Sequence, residues 1–299
     1  MRLDFTFAFL LFTFAFIMFW QTSRRKFDLT RPLIMAILNV TPDSFSDGGE
    51  FLSPNDALKQ AEKLVTEGAD IIDIGGESTR PGSNRVSVPE EISRVIPIIE
   101  AITKRFDIPI SVDTTKSMVA ERAVDGGAEI INDISGLRFD EKIAEIAAGY
   151  NAGLILMHSR GNFETMHTQQ PVDNILREVA SGFRTSLATA NAFGVKTENI
   201  ALDPGIGFGK TFAQNLELIA KLDRLVDEFP NYSMVVGTSR KSFIGKIQGS
   251  GPAGERLSGS LASAIIAVWN GVRIVRVHDV KKTVDAIKIT DAIRRERNI

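Results

Sequence analysis

Cysteine is absent from the 299 residues, so disulfides, thiolate nucleophiles and Cys-ligated zinc are excluded, and the composition suits a reducing cytoplasm. Histidine is nearly as scarce: His158, His167 and His278 are the whole supply, and a three-histidine metal site would use them all. An excess of charge is missing too, because 35 Lys and Arg meet 37 Asp and Glu for a formal net charge of −2. The two signs are intermixed, so no basic field exists to attract nucleic acid, and the expected ligand is a small molecule. The length suits one large core, and one catalytic domain is expected.

Long apolar runs are also lacking, with one exception at the start. Phe5 to Trp20 is unbroken apart from Thr6 and Thr13 and is followed by Arg24, Arg25 and Lys26. It is short for a membrane span, carries little positive charge ahead of it and has no small-residue cleavage site behind it. Three readings compete: an export signal, a loose membrane anchor, and a start placed upstream of the true one. The third fits best, because Met18 opens a stretch, Phe19-Trp20-Gln21 through Phe27-Asp28-Leu29, that reads as the leading segment of a soluble domain. Residues 1–26 are therefore read as a leader and 27–299 as the catalytic domain, with no membrane partner expected.

From Leu33 onward, short runs rich in Ile and Val alternate with longer segments of helical periodicity, in eight pairs. The expected strands are 33–38, 70–74, 108–112, 129–131, 153–157, 200–202, 233–236 and 273–277. Helices are expected over 54–67, 89–105, 115–125, 141–148, 172–192, 212–228, 256–269 and 280–295. Pro54 and Pro89 suit first-turn positions and Gly68 a helix stop. Strands this apolar need cover on both faces, which implies a parallel sheet. Eight strand–helix units in one domain match the closed (β/α)8 barrel better than the structural runner-up, an open doubly wound sheet.

In such a barrel, ligands sit where strand C-termini meet the following loops. The polar residues cluster there: Asn39, Asp113, Asn132, His158, Asp203, Arg276 and His278 all lie at or just past an expected strand end. Alternation puts Ile274, Arg276 and His278 on one face of the last strand, so both basic groups look into the barrel mouth. Taken singly, Asp113 in Ile110-Ser-Val-Asp113-Thr-Thr-Lys116 and Asn132 in Glu129-Ile-Ile-Asn132 read best as helix caps. Together with Asp203 they place two acceptors and an amide around one mouth, as a heterocycle edge with several N–H donors requires.

Three loops carry further signals. Asn39-Val-Thr-Pro-Asp-Ser-Phe-Ser-Asp-Gly-Gly49 has the make-up of a mobile cover with reactive groups. Asp203-Pro-Gly-Ile-Gly-Phe-Gly-Lys210 holds more glycine than a turn needs, yet lacks the Gly-Lys-Ser/Thr ending of a nucleotide-binding P-loop. In Thr238-Ser-Arg-Lys241-Ser242-Phe-Ile-Gly245, Ser242 suits the start of a short helix whose free N–H groups would receive a carboxylate.

The segments Asn39–Gly49, Asp73–Ser83, Val112–Lys116, Asn132–Gly136, Asp203–Lys210, Thr238–Gly245 and Arg276–Asp279 resemble, in order, the motifs of the dihydropteroate synthase family. The likeness runs from about Leu33 to Ile293, with small departures at Ala36, Thr115 and Ile206. It implies condensation of 7,8-dihydropterin-6-ylmethyl diphosphate with 4-aminobenzoate, which yields 7,8-dihydropteroate and diphosphate. It further implies that Asp113, Asn132, Asp203 and Lys241 hold the pterin, with Ile134, Met157 and Phe208 packed around its ring. Asn39, Arg276 and His278 would gather the diphosphate, with Mg2+ as cofactor and Asn39 as its ligand. Phe45, Thr79, Arg80, Pro81 and Ser242 would frame the aminobenzoate, and Asp47 would stabilise positive charge at the methylene carbon. A homodimer is implied as well. The rivals are a methyltransferase using methyltetrahydrofolate on a related barrel, and a pterin-binding protein without catalysis.

Overall fold

The computed structural model describes residues 19–41, 54–80, 82–249 and 251–297. Eight parallel strands close into a barrel: β3 (Leu33–Asn39), β4 (Ile71–Gly75), β5 (Ile110–Asp113), β6 (Ile130–Asp133), β7 (Gly153–Met157), β8 (Ile200–Asp203), β9 (Ser233–Val236) and β10 (Ile274–Val277). Each strand pairs with the next in sequence, and β10 returns to β3. The expected barrel is therefore the observed fold, and the open sheet is excluded. Helices α1 (Pro54–Thr66), α2 (Val88–Arg105), α3 (Ser117–Asp125), α4 (Lys142–Gly149), α5 (Ile175–Ala192), α6 (Phe212–Ala220), α7 (Leu222–Glu228), α8 (Ser242–Gln248), α9 (Leu257–Trp269) and α10 (Val280–Arg297) complete it.

Period-2 alternation sorts every barrel strand into two environments. Ile72, Ile74, Val112, Ile131, Leu154, Leu156, Leu202, Val236, Val275 and Val277 point outward into the layer shared with the helices. Leu33, Met35, Ile71, Ile130, Ile155, Ala201, Val235 and Ile274 point inward and form a separate apolar plug in the lower barrel. One pleat repeat higher on the same inward face stand Asp73, Asp113, Asn132, Met157, Asp203 and Arg276. The change from apolar to polar inside the barrel is thus a change of two positions along each strand.

The plug is capped from below by an antiparallel hairpin, β1 (Phe19–Gln21) and β2 (Lys26–Asp28). Trp20 is fully buried within it, stacks on Phe27 and donates its indole N–H to the Asn199 carbonyl at 2.9 Å. Residues 19–26, assigned on sequence to the leader, therefore pack as part of the barrel domain. Residues 1–18, including Met18 and most of the Phe-rich run, lie outside the described residues.

Side-chain caps set three of the helix starts. Ser87 caps α2 and Asn174 caps α5, each accepting a backbone N–H three residues on, which is why α5 begins at Ile175 and not at the expected Val172. Thr211 and Gln214 form a reciprocal capping box at α6. The single helix expected over 212–228 is interrupted at Lys221, whose φ of −119° and ψ of 26° are not helical. Among the described residues, no helix is long and apolar enough to cross a membrane.

Candidate active site

The mouth is built around a buried ion network. Arg276 Nε donates to Asp73 Oδ2 at 2.6 Å and its Nη2 to Asp113 Oδ2 at 2.7 Å. Asn132 Nδ2 reaches the same Asp73 oxygen at 3.2 Å, and Asn132 sits beside Asp113 in the β5–β6 ladder. Asp73 Oδ1 has no hydrogen-bond partner among the described residues. On the other side, Asp203 pairs in register with Met157, and its Oδ1 accepts the Gly205 N–H at 2.7 Å.

The apolar wall of this mouth is a small cluster of its own. Ile134, Met157 and Phe208 pack together with Phe163 and Met166. Lys241 completes it, with Nζ 4.1 Å from the centroid of the Phe208 ring, a cation–π contact. The fold thus brings Asp113, Asn132, Asp203, Lys241, Ile134, Met157 and Phe208 to one end of the barrel, although they come from five different loops and strand ends.

Burial shapes the charges here. It pushes Asp113 up to about 7, against the pull of the Arg276 guanidinium and with the help of neighbouring Asp73. Asp203 is likewise raised by burial. Lys241 is lowered to about 8, first by burial and then by Arg276. Burial also works against the Arg276 charge, but the Asp73 and Asp113 carboxylates more than restore it. His278 is driven down to about 3 by burial, reinforced by Arg240 and Arg276, and is neutral at physiological pH. Its Nδ1 lies 3.1 Å from Ser239 Oγ.

These facts refine the expected cationic grip on a diphosphate. Arg276 is a cation held between two carboxylates, and His278 offers a neutral ring. Arg276 therefore orders the acidic floor as well as lining the mouth. Asn39, the last residue of β3, is half-buried and pairs in register with Gly75, next to Asp113. Among the described residues no group of three or more His, Cys, Asp or Glu side chains is placed to hold a metal. Asn39 supplies a single neutral oxygen, which fits a hard cation that takes its remaining ligands from phosphate and water.

Two loops border the floor. Thr79 and Arg80 follow β4, with Thr79 half-buried and Arg80 exposed. Ser242 is the first residue of α8; Lys241 precedes it in extended conformation, and no side chain caps the helix. Phe45, Asp47 and Pro81 lie outside the described residues. The glycines after Asp203 have a steric reason: at Gly205, with φ +67°, a Cβ would stand 2.0 Å from the His158 carbonyl oxygen. The same loop is drawn in by Lys210, whose Nζ donates to the carbonyls of His158 at 3.0 Å and Phe208 at 2.8 Å.

Asp73 is the residue whose role the sequence did not disclose. A lone carboxylate in Ile71-Ile-Asp-Ile-Gly75, on the inward parity of an otherwise apolar strand, was the available signal. Phe163, Met166 and His167 gave none, because they come from a long connection without periodicity.

A closed parallel barrel with an acid-and-amide floor, an aromatic wall and a lysine over it defines a class of heterocycle-binding barrel enzymes. The profile of the pterin binding enzyme family matches residues 35–278, and the chain belongs to that family. Within the family it falls with the dihydropteroate synthases. It is 48% identical to the dihydropteroate synthase of Clostridium beijerinckii over 266 residues, 89% of this chain and 95% of that protein. It superimposes with a TM-score of 0.87 on the Yersinia pestis dihydropteroate synthase solved with a sulfonamide drug, at 42% identity over 93% of this chain and 100% of that one. The Xanthomonas albilineans dihydropteroate synthase solved with 4-aminobenzoic acid gives 0.86 at 38% identity, covering 93% of this chain and 98% of that one.

Proposed function

We infer that this barrel mouth joins 7,8-dihydropterin-6-ylmethyl diphosphate to 4-aminobenzoate, as a dihydropteroate synthase of folate biosynthesis. The observation that carries the reading is the convergence of Asp113, Asn132, Asp203 and Lys241 over the Met157–Phe208 wall, with Arg276 bridging Asp73 and Asp113 beside them. A pterin presents several N–H donors along one edge and a flat ring; carboxylates and an amide match the edge, and the apolar wall matches the ring.

In the reaction the amine nitrogen forms a bond to the methylene carbon while the carbon–oxygen bond to diphosphate breaks, and the amine then loses a proton. An aromatic amine is nucleophilic without activation, so catalysis consists of holding the two partners in line and stabilising the leaving diphosphate. Arg276 supplies a fixed positive charge at the mouth, and His278 a neutral ring beside it. Ser242 and the uncapped amides at the start of α8 suit the aminobenzoate carboxylate, with Thr79 and Arg80 on the facing loop. Asn39 would hold Mg2+, which would supply positive charge against the leaving group. The roles of Phe45, Pro81 and Asp47 belong to the same proposal.

A cytoplasmic setting suits the absence of cysteine and the small anionic substrates. A homodimer is supported by exposed Ile266 and Trp269 on α9 and Ile289 and Ile293 on α10, two neighbouring helices. The deciding experiment is diphosphate release measured with and without 4-aminobenzoate. Amine-dependent release is expected; release that ignores the amine would reject the synthase.

A further inference from the structure

The connection after β7, residues 158–174, also carries His167, which has been given no role above, on a firmly seated segment. Phe163 and Met166 are buried in the wall cluster. Arg138 holds the backbone and side chain of the same segment, donating to Gly161 O at 2.8 Å and Ser159 Oγ at 2.7 Å. His167 rides on this plate with its ring centroid 5.8 Å from that of Phe208. Its Nε2 lies 2.8 Å from the Thr79 carbonyl oxygen, 88 residues away in the chain. A carbonyl only accepts, so Nε2 carries the proton in this contact.

The topology makes this bond unusual. Thr79 follows β4 and His167 follows β7, and in the barrel β5 and β6 stand between them. The bond therefore ties together two loops whose parent strands are separated in the barrel by β5 and β6, the strands that end in Asp113 and Asn132. We propose that His167 is a positioning residue that straps the Thr79–Arg80 turn across the mouth and so sets the affinity for the aromatic amine substrate. The inference rests on the synthase reading, which places that amine beside Thr79 and Arg80. Phe208, in tilted contact with the His167 ring, ties the strap to the wall cluster.

A strap of this kind acts on one substrate more than on the other. In His167→Ala the KM for 4-aminobenzoate should rise about five- to tenfold, the worth of one hydrogen bond, while the KM for the pterin diphosphate stays within about twofold. Amide hydrogen exchange over residues 76–80 should speed up in the same variant without any substrate present. His167→Gln keeps an N–H donor at similar reach and should restore both readings, whereas His167→Asn, with a shorter reach, should not. If the alanine variant does not fold, the Gln and Asn pair decides the matter. Equal rises in both KM values, unchanged exchange over 76–80, or Gln behaving like Asn would overturn the strap. Wild-type diphosphate release that ignores the amine would instead overturn the synthase reading; amine-dependent release with an unaltered alanine variant overturns the strap alone.

Discussion

The lower and upper halves of this barrel use the same strands and the same alternation for opposite purposes. Below, Met35, Ile71, Ile130, Ile155 and Ile274 close on Trp20 in an apolar plug. Above, the next inward positions hold Asp73, Asp113, Asn132, Asp203 and Arg276. Apolar side chains gain free energy by leaving water and filling space, so the plug needs no charged partner to be stable. The buried charges of the mouth are stable only as a network, because each needs a partner. The lower half can therefore lose a residue and lose stability alone; in the upper half stability and chemistry are lost together.

Arg276→Ala should break that upper network most visibly. It removes the shared partner of Asp73 and Asp113, so turnover should fall by roughly 10²–10³-fold and unfolding stability by about 3–5 kcal/mol. Steady-state kinetics alongside urea unfolding would show both losses; wild-type turnover in a folded variant would refute the role given to Arg276.

Trp20→Ala is the matching change below. Emptying the plug should cost about 3–5 kcal/mol of stability while leaving kcat/KM of the folded enzyme near wild type. A large fall in kcat/KM with little change in the urea midpoint would erase the contrast between the halves.

The pH dependence sharpens the comparison further. Lys241 carries its charge below about 8, where burial and Arg276 have brought its pKa. Raising the pH through that value removes the cation, so kcat/KM for the pterin diphosphate should decline above it. Lys241→Gln should lower the plateau and abolish this limb, and a limb that persists in the variant would assign it to another group.

Ser242→Ala should have the smallest effect. Losing one hydroxyl at an exposed helix start should raise the KM for 4-aminobenzoate by about fivefold, with less change for the pterin diphosphate. Equal changes for both substrates would place the carboxylate elsewhere.

Much of the site was legible because barrel strands impose a period of two. Asp113, Asn132, Asp203 and Arg276 each follow an apolar run at inward parity, and each lies in the mouth. Asp73 obeys the same parity, but without a loop signal around it a single carboxylate inside Ile-Ile-Asp-Ile-Gly reads as part of a strand. His278 shows the other limit: parity placed it at the mouth, but its neutrality comes from burial and from Arg240 and Arg276, neither of which its own sequence neighbourhood reveals in full. Gly205 was conspicuous as sequence, yet only the approach of the His158 carbonyl explains it. Trp20 lay where the Phe-rich leader overlapped the segment that reads as the lead into a soluble domain, and only its packing shows that it fills the barrel floor.

The order of strands and helices, the parallel barrel and the family were determined by the sequence alone, since periodicity and capping act over a few residues and leave a local record. Tertiary structure decided which charges neutralise one another, which histidine stays neutral and which loops meet across the mouth. Those outcomes depend on distances between segments up to 203 residues apart, such as Asp73 and Arg276, and on how far folding removes them from water.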